Sequence, residues 1–183
     1  LNGNPDPGGT WSPTPAGAGT YTYTHFGSAS CPTTSAQVVV TEEPAADPGT
    51  NGTLTICEGE TVTTTQLFNA LGGTPDTGGT WSPTPAGAGT YTYTLPATAN
   101  CPAVTAQVVV TEEPAQNAGT NGTLTICEGE TVTTTELFNA LGGNPDSGGT
   151  WSPTPAGAGT YTYTLSATAN CPAVSAQVVV TEE

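Results

Sequence analysis

The five cysteines are the side chains of this 183-residue sequence best equipped for chemistry, and their spacing is regular. Cys101 follows Cys57 by 44 residues, Cys171 follows Cys127 by the same interval, and Cys31 stands 70 residues ahead of Cys101. Thiols at fixed intervals can oxidise in pairs, hold zinc, or stay buried and free. Zinc is disfavoured, because there is no Cys-x-x-Cys and only one histidine, His25. Oxidation in pairs is the reading taken, as Cys57–Cys101 and Cys127–Cys171, with Cys31 unpaired because its expected partner lies ahead of Leu1. Such pairing implies an oxidising compartment, at the cell surface or outside the cell.

Other candidate groups are weaker. Glu58, Glu60, Glu112 and Glu113, with Asp47, are hard oxygen ligands of the kind Ca2+ takes. No DxDxDG spacing accompanies them, and Asn117 replaces Asp47 in the next copy, so a solvated acidic surface is the simpler reading and no metal or other cofactor is expected. Trp11, Trp81 and Trp151 could stack on a sugar, but a core role beside the disulfide, together with Tyr91, Tyr93, Tyr161 and Tyr163, is preferred. His25 stands where the other copies have Leu95 and Leu165, which suits drift in one copy better than a binding variant. Asn51-Gly-Thr53 and Asn121-Gly-Thr123 match the N-glycosylation acceptor pattern, but Asn-Gly is also a common turn. The Thr-x-Thr rows suggest ice binding, and a solvent-facing row of β-branched residues explains them more simply. With no Lys or Arg and no repeated His, a catalytic constellation cannot be assembled, and the chain is not read as an enzyme.

These residues are placed by one 70-residue unit written repeatedly. Residues 44–113 and 114–183 are complete copies differing at eight positions, and residues 1–43 correspond to the last 43 of the unit. Self-similarity at this period means an array of small domains, here 1–43 (partial), 44–113 and 114–183. The 15 Asp and Glu give a net charge of −15, uncompensated by any basic residue. Nucleic acid is excluded as a partner, since phosphate binding works by cations displacing counterions. An anionic membrane surface repels the chain, and no membrane-spanning run or leader is present, so membrane insertion is not expected.

Within a unit, Thr53–Cys57, Thr80–Ser82, Thr90–Leu95 and Val104–Glu113 alternate apolar and polar residues as strands do. Glu58–Glu60 reads as a turn, Thr61–Thr65 as extended, and Gln66–Leu71 as a short helical turn ended by Gly72-Gly73. Six or seven short strands with frequent turns point to an all-β fold: a tandem array of small immunoglobulin-like antiparallel β-sandwich domains, each with one disulfide. The Gly89-x-Tyr91 step looks like a tyrosine corner, although Tyr93 occupies the place of the second cysteine of an antibody domain. The cysteine bond is then expected to tie the Thr53–Cys57 strand to the loop before the last strand. Closing such a loop contributes roughly 3–4 kcal/mol, a large share for so small a core.

The phrase CEGETVTTTxLFNALGG-x-PD-x-GGTWSPTPAGAGTYTYT, followed by ATANCPAVxAQVVVTEE, resembles the repeats of SprB-type gliding adhesins, the large cell-surface proteins of flavobacteria and other Bacteroidetes. The resemblance covers essentially the whole sequence. It implies a repetitive filament exported by type IX secretion, held at the outer membrane and moved to drive gliding. It supplies no catalytic residues. The function expected is a stalk or filament segment of a bacterial cell-surface adhesin, for gliding motility and surface attachment. Its partners are then neighbouring repeats and, through domains outside these residues, a cell-surface or substratum polysaccharide. The alternatives are a multivalent glycan-binding array, in which avidity multiplies weak sites, and a self-assembling extracellular fibre or sheath with lateral contact between identical chains.

Overall fold

Alternation of Thr with Tyr, Val or Leu sends one side chain inward and the next into solvent, and the chain forms strands wherever it persists. A computed structural model describes residues 1–183. In chain order the elements are β1 (Thr10–Ser12), β2 (Gly19–His25), β3 (Thr34–Val40), β4 (Gly52–Cys57), α1 (Thr64–Ala70), β5 (Thr80–Ser82), β6 (Gly89–Leu95) and β7 (Val104–Glu113). They continue as β8 (Gly122–Ile126), α2 (Thr134–Ala140), β9 (Thr150–Ser152), β10 (Gly159–Leu165) and β11 (Val174–Glu182). On β6, Tyr91, Tyr93 and Leu95 are buried; on β7, Ala106, Val108 and Val110 are buried while Gln107 and Val109 face solvent.

Each complete repeat contributes one four-stranded sheet, ordered β4-β7-β6-β5 and β8-β11-β10-β9; residues 1–43 contribute the three-stranded β1-β2-β3. All pairings are antiparallel except two: β4 runs parallel to β7, and β8 to β11. The protein is therefore mostly β, with mixed sheets. The two facing sheets expected of a sandwich are not seen, since only Thr80–Ser82 of the long stretch between β4 and β6 forms a strand. In place of a second sheet, a short helix and loops cover the apolar face. In residues 114–183, Val132, Leu137 and Leu141 pack with Tyr161, Tyr163, Leu165, Val178 and Val180 in one buried cluster.

The helix begins earlier than expected, because Thr64 and Thr65 belong to it rather than to an extended run. A capping box explains the start. Thr63 Oγ1 accepts from the Gln66 N–H, and the Gln66 side chain accepts from the Thr63 N–H at 2.8 Å. Glu136 does the same for Thr133 in α2, and these bonds lower the Glu136 carboxyl below its ordinary value.

The tyrosine corner is present: the Tyr91 hydroxyl donates to the Gly87 carbonyl at 2.7 Å and accepts from the Ala86 N–H at 3.0 Å. The core role expected of the tryptophans holds in part, since Trp151 packs against the buried cluster from its rim. Trp11 is 37% exposed, and Trp81 and Trp151 are half-buried. The cause is position: β5 and β9 are edge strands, and Trp81 lies opposite Tyr93, whose ring takes the interior place. Trp81 stacks on Tyr93 at 5.1 Å between ring centres, and Phe68 meets Tyr93 edge-on at 5.5 Å. The Tyr93 hydroxyl donates to the Asp76 carbonyl and accepts from the Gly79 N–H. Gly79 is required there, since a Cβ would stand 2.5 Å from the Tyr93 ring.

The chain divides into two compact units. One comprises Leu1–Ala46 with Ala97–Pro102; the other comprises Asp47–Pro96 with Ala103–Glu183 and holds most of both complete repeats.

Leu67 is fully buried and is the helix residue that seals the sheet face. Replacement by Ala should destabilise the protein by about 2–5 kcal/mol. Chemical denaturation followed by Trp fluorescence measures this directly, and a loss under 1 kcal/mol would show that the helix is not part of the core.

Candidate functional site: a clasp between repeats

The feature with chemical consequence is where the cysteines fall. Because β4 runs parallel to β7, its last residue, Cys57, lies opposite Glu113, the last residue of β7. Cys101 precedes the other end of β7, which starts at Val104. Ten strand residues at about 3.3 Å each, roughly 30 Å, separate the end of β7 that Cys57 meets from the end that Cys101 precedes in the chain. Bridged cysteines need Cα atoms within about 7 Å. The expected bonds Cys57–Cys101 and, by the same topology, Cys127–Cys171 are therefore corrected.

Instead, Cys57 of one repeat is joined to Cys171 of the next, with Cα atoms 4.8 Å apart. Both cysteines are buried. Cys171 is presented by a tight loop in which the Thr168 hydroxyl accepts from the Cys171 N–H at 3.0 Å, and the Thr168 N–H donates to the Cys171 carbonyl at 3.0 Å. That loop sits on the end of β7. The Asn170 amide donates to the Glu113 carboxylate at 2.7 Å, and the Cys171 sulfur lies 3.8 and 3.7 Å from the Glu113 and Pro114 carbonyls. The Glu58 N–H donates to the Glu113 carbonyl, and the Ala115 N–H donates to the Glu58 carboxylate. The Asn170 amide, with the Thr168 hydroxyl, holds the Glu113 carboxyl below its ordinary value.

The other three thiols are free: Cys31 and Cys127 are exposed and Cys101 is half-buried. The loop that carries Cys101 has the same form, with the Thr98 N–H donating to the Cys101 carbonyl at 2.9 Å. Its Asn100 amide donates to Glu43 at 3.0 Å.

The acidic residues weighed for Ca2+ are dispersed among separate tasks. No group of three His, Cys, Asp or Glu side chains converges anywhere. Glu112 accepts from the Ala88 N–H, while Glu58 and Glu113 serve the clasp. Asp47 and Asn117 each accept from the N–H two residues on, at 2.8 Å, which explains why acid and amide exchange there. Asn51 and Asn121 accept from the Gln107 and Gln177 N–H groups. His25 ends β2 opposite Thr34. The Thr55 and Thr111 hydroxyls pair at 3.1 Å on an exposed sheet face.

The tryptophans weighed for sugar stacking line a groove whose other members the sequence did not point to. The half-buried Trp81 lines an open groove of about 540 Å³ with Phe68, Tyr93, Pro85, Thr64 and Thr84. Residues 114–183 repeat it at about 530 Å³ around Trp151, Phe138 and Tyr163. No charged side chain lines either groove. The missing signal was the pairing of the helix with the edge strand, which no local pattern announces.

No protein-family model matches the chain, and no curated protein matches it.

Because every cysteine lies in a different glutamyl peptide, cleavage after Glu resolves the pairing. Under non-reducing conditions, peptide 44–58 should be linked to 137–182, with Cys31, Cys101 and Cys127 open to alkylation. Linkage of 44–58 to 61–112 would overturn the inter-repeat clasp.

Proposed function

We propose that the chain is a stalk segment of a bacterial cell-surface adhesin of the gliding type, exported by type IX secretion and serving surface attachment. The observation that carries this reading is the Cys57–Cys171 bond, which crosses a repeat boundary. A bond inside a repeat would stabilise that repeat alone. A bond between repeats adds a second covalent link across the joint, so load can pass from one repeat to the next without unfolding what lies between, as a load-carrying tether needs. The repeat suits the same task, because its first and last strands are parallel and the chain enters at one end of the sheet and leaves at the other. Tension on the two ends loads the β4–β7 ladder in shear, so its hydrogen bonds resist together and not one at a time. The net charge of −15 keeps neighbouring chains apart. No helix is long and apolar enough to cross a membrane.

A second reading, the glycan-binding array, is favoured by the recurring aromatic grooves around Trp81 and Trp151. Uncharged aromatic and hydroxyl surfaces suit stacking against a neutral sugar ring.

Immunogold electron microscopy of the producing cells, with an antibody to residues 44–113, separates these readings. Gold strung far out from the envelope fits a stalk; gold confined to the envelope or to the medium would overturn it. At the molecular level, pulling on the two ends of the oxidised chain should leave the segment between Cys57 and Cys171 inextensible. Reduction should then release about 400 Å of further contour length, from a sequence separation of 114 residues at about 3.5 Å each. An unchanged contour length would mean that no disulfide shields the segment from the load.

A further inference from the structure

We propose that Asn170 is a positioning residue that directs Cys171 to Cys57. Its amide, held by the Glu113 carboxylate, seats the loop before the sulfurs join and so selects the pairing across the repeat boundary. The selection concerns the joint alone and is separate from any adhesive task.

Something must select this pair, because the unfolded chain favours others. Cys127 precedes Cys171 by 44 residues, and Cys57 precedes it by 114. Loop closure falls with about the three-halves power of length, so an unfolded chain brings Cys127 to Cys171 roughly four times as often as Cys57. The pairing found is therefore made after the strands have formed, by a contact that recognises the end of β7.

Each half of that contact is fixed without sulfur. On one side, Cys57 lies opposite Glu113 in the parallel ladder, and the Glu58 N–H donates to the Glu113 carbonyl at 2.8 Å. On the other, Asn170 and Cys171 are neighbours on one tight loop, where the Thr168 hydroxyl accepts from their N–H groups at 3.4 and 3.0 Å. The 2.7 Å bond from Asn170 to Glu113 then leaves Cys171 beside Cys57. The loop before β7 carries the same arrangement beside a thiol that is free. The Thr98 hydroxyl accepts from the Asn100 and Cys101 N–H groups, and the Asn100 amide donates at 3.0 Å to Glu43, the repeat equivalent of Glu113. The anchor thus forms where no disulfide draws the loop in, as a cause of the pairing must.

The covalent step needs an oxidant, here a small-molecule disulfide, oxidised glutathione. One clasp thiolate attacks one of its sulfurs, the S–S bond breaks, and one glutathione leaves as a thiol. The other clasp thiolate then attacks the cysteine sulfur of the mixed disulfide and displaces the second glutathione. The two cysteines lose two protons and two electrons, and both reappear on the two glutathione thiols. Asn170 takes no part in these exchanges; it raises the concentration of one thiol about the other.

The test uses the full chain, reduced and folded, then equilibrated in buffers of reduced and oxidised glutathione and quenched by alkylation. Mass spectrometry of glutamyl peptides 44–58 and 137–182 gives the share of clasp, and hence its effective concentration. Asn170→Ala should lower that concentration about two- to tenfold, the worth of one hydrogen bond. Asn170→Asp sets carboxylate against carboxylate and should lower it at least as far. Adding Glu113→Gln to Asn170→Asp reverses the bond, with the Gln amide as donor, and should recover most of the loss, which a merely damaged loop could not do. Both positions are half-buried and lie outside the core, so none of these variants disturbs the fold of a repeat. A fall smaller than twofold in Asn170→Ala would overturn the proposal, as would a double variant no better than Asn170→Asp alone.

Discussion

The parallel pairing of β4 with β7 is the constraint on which the rest of the structure depends. Antiparallel pairing would bring the entry and exit of a repeat to the same end of the sheet, and Cys57 would lie near Cys101. Parallel pairing requires a long crossover, here residues 58–103, whose first part, residues 58–88, holds α1, β5 and the proline-rich turn. That crossover covers the apolar face of the sheet, so one sheet and one seven-residue helix suffice where two sheets were expected. Gly52 shows how close the covering layer comes: a Cβ there would run into the Ala70 carbonyl at the end of α1.

The absence of basic side chains decides what holds these elements. With no Lys or Arg, the 15 carboxylates have almost no cation to meet, and they accept from neutral donors instead. Glu113 takes the Asn170 amide, Glu58 the Ala115 N–H, Glu112 the Ala88 N–H, and Glu136 the Thr133 N–H. Salt does not break such bonds as it weakens surface ion pairs, while it screens the repulsion among the carboxylates. Added salt therefore acts on this protein in the stabilising direction. Stability then comes from apolar burial around Val108, Leu67 and the tyrosines, supplemented by the disulfide.

The strands were legible in the sequence because alternation is a local signal. Gly89–Leu95 and Val104–Glu113 form where the Thr/Tyr and Val patterns put them, and the Gly89–Tyr91 step closes its corner as anticipated. The helix start at Thr64 was also encoded locally, in Thr63 and Gln66, but the β-branched run of Thr61–Thr65 outweighed the capping box. What could not be read locally was direction. A strand pattern is the same whether its neighbour runs parallel or antiparallel, so the sequence left open which end of β7 Cys57 would meet. Every error about the cysteines follows from that one ambiguity. The half-burial of Trp81 and Trp151 has a similar source: Thr80–Ser82 reads as a strand, but nothing in three residues says that it is an edge.

A disulfide between repeats has a different physical meaning from one within a repeat. Within a repeat it shortens the unfolded chain and adds a few kcal/mol to one domain. Between repeats it also closes a loop of more than one repeat length, so the bonded segment contains the last three strands of one repeat and the first three of the next. Neither set can be drawn out while the bond holds. Cooperativity between neighbours in repeat arrays ordinarily rests on the interface between them. Here that interface is a small loop–strand contact made by Asn170 and Cys171 on Glu113 and Pro114. The sulfur–sulfur bond adds a covalent link to that contact.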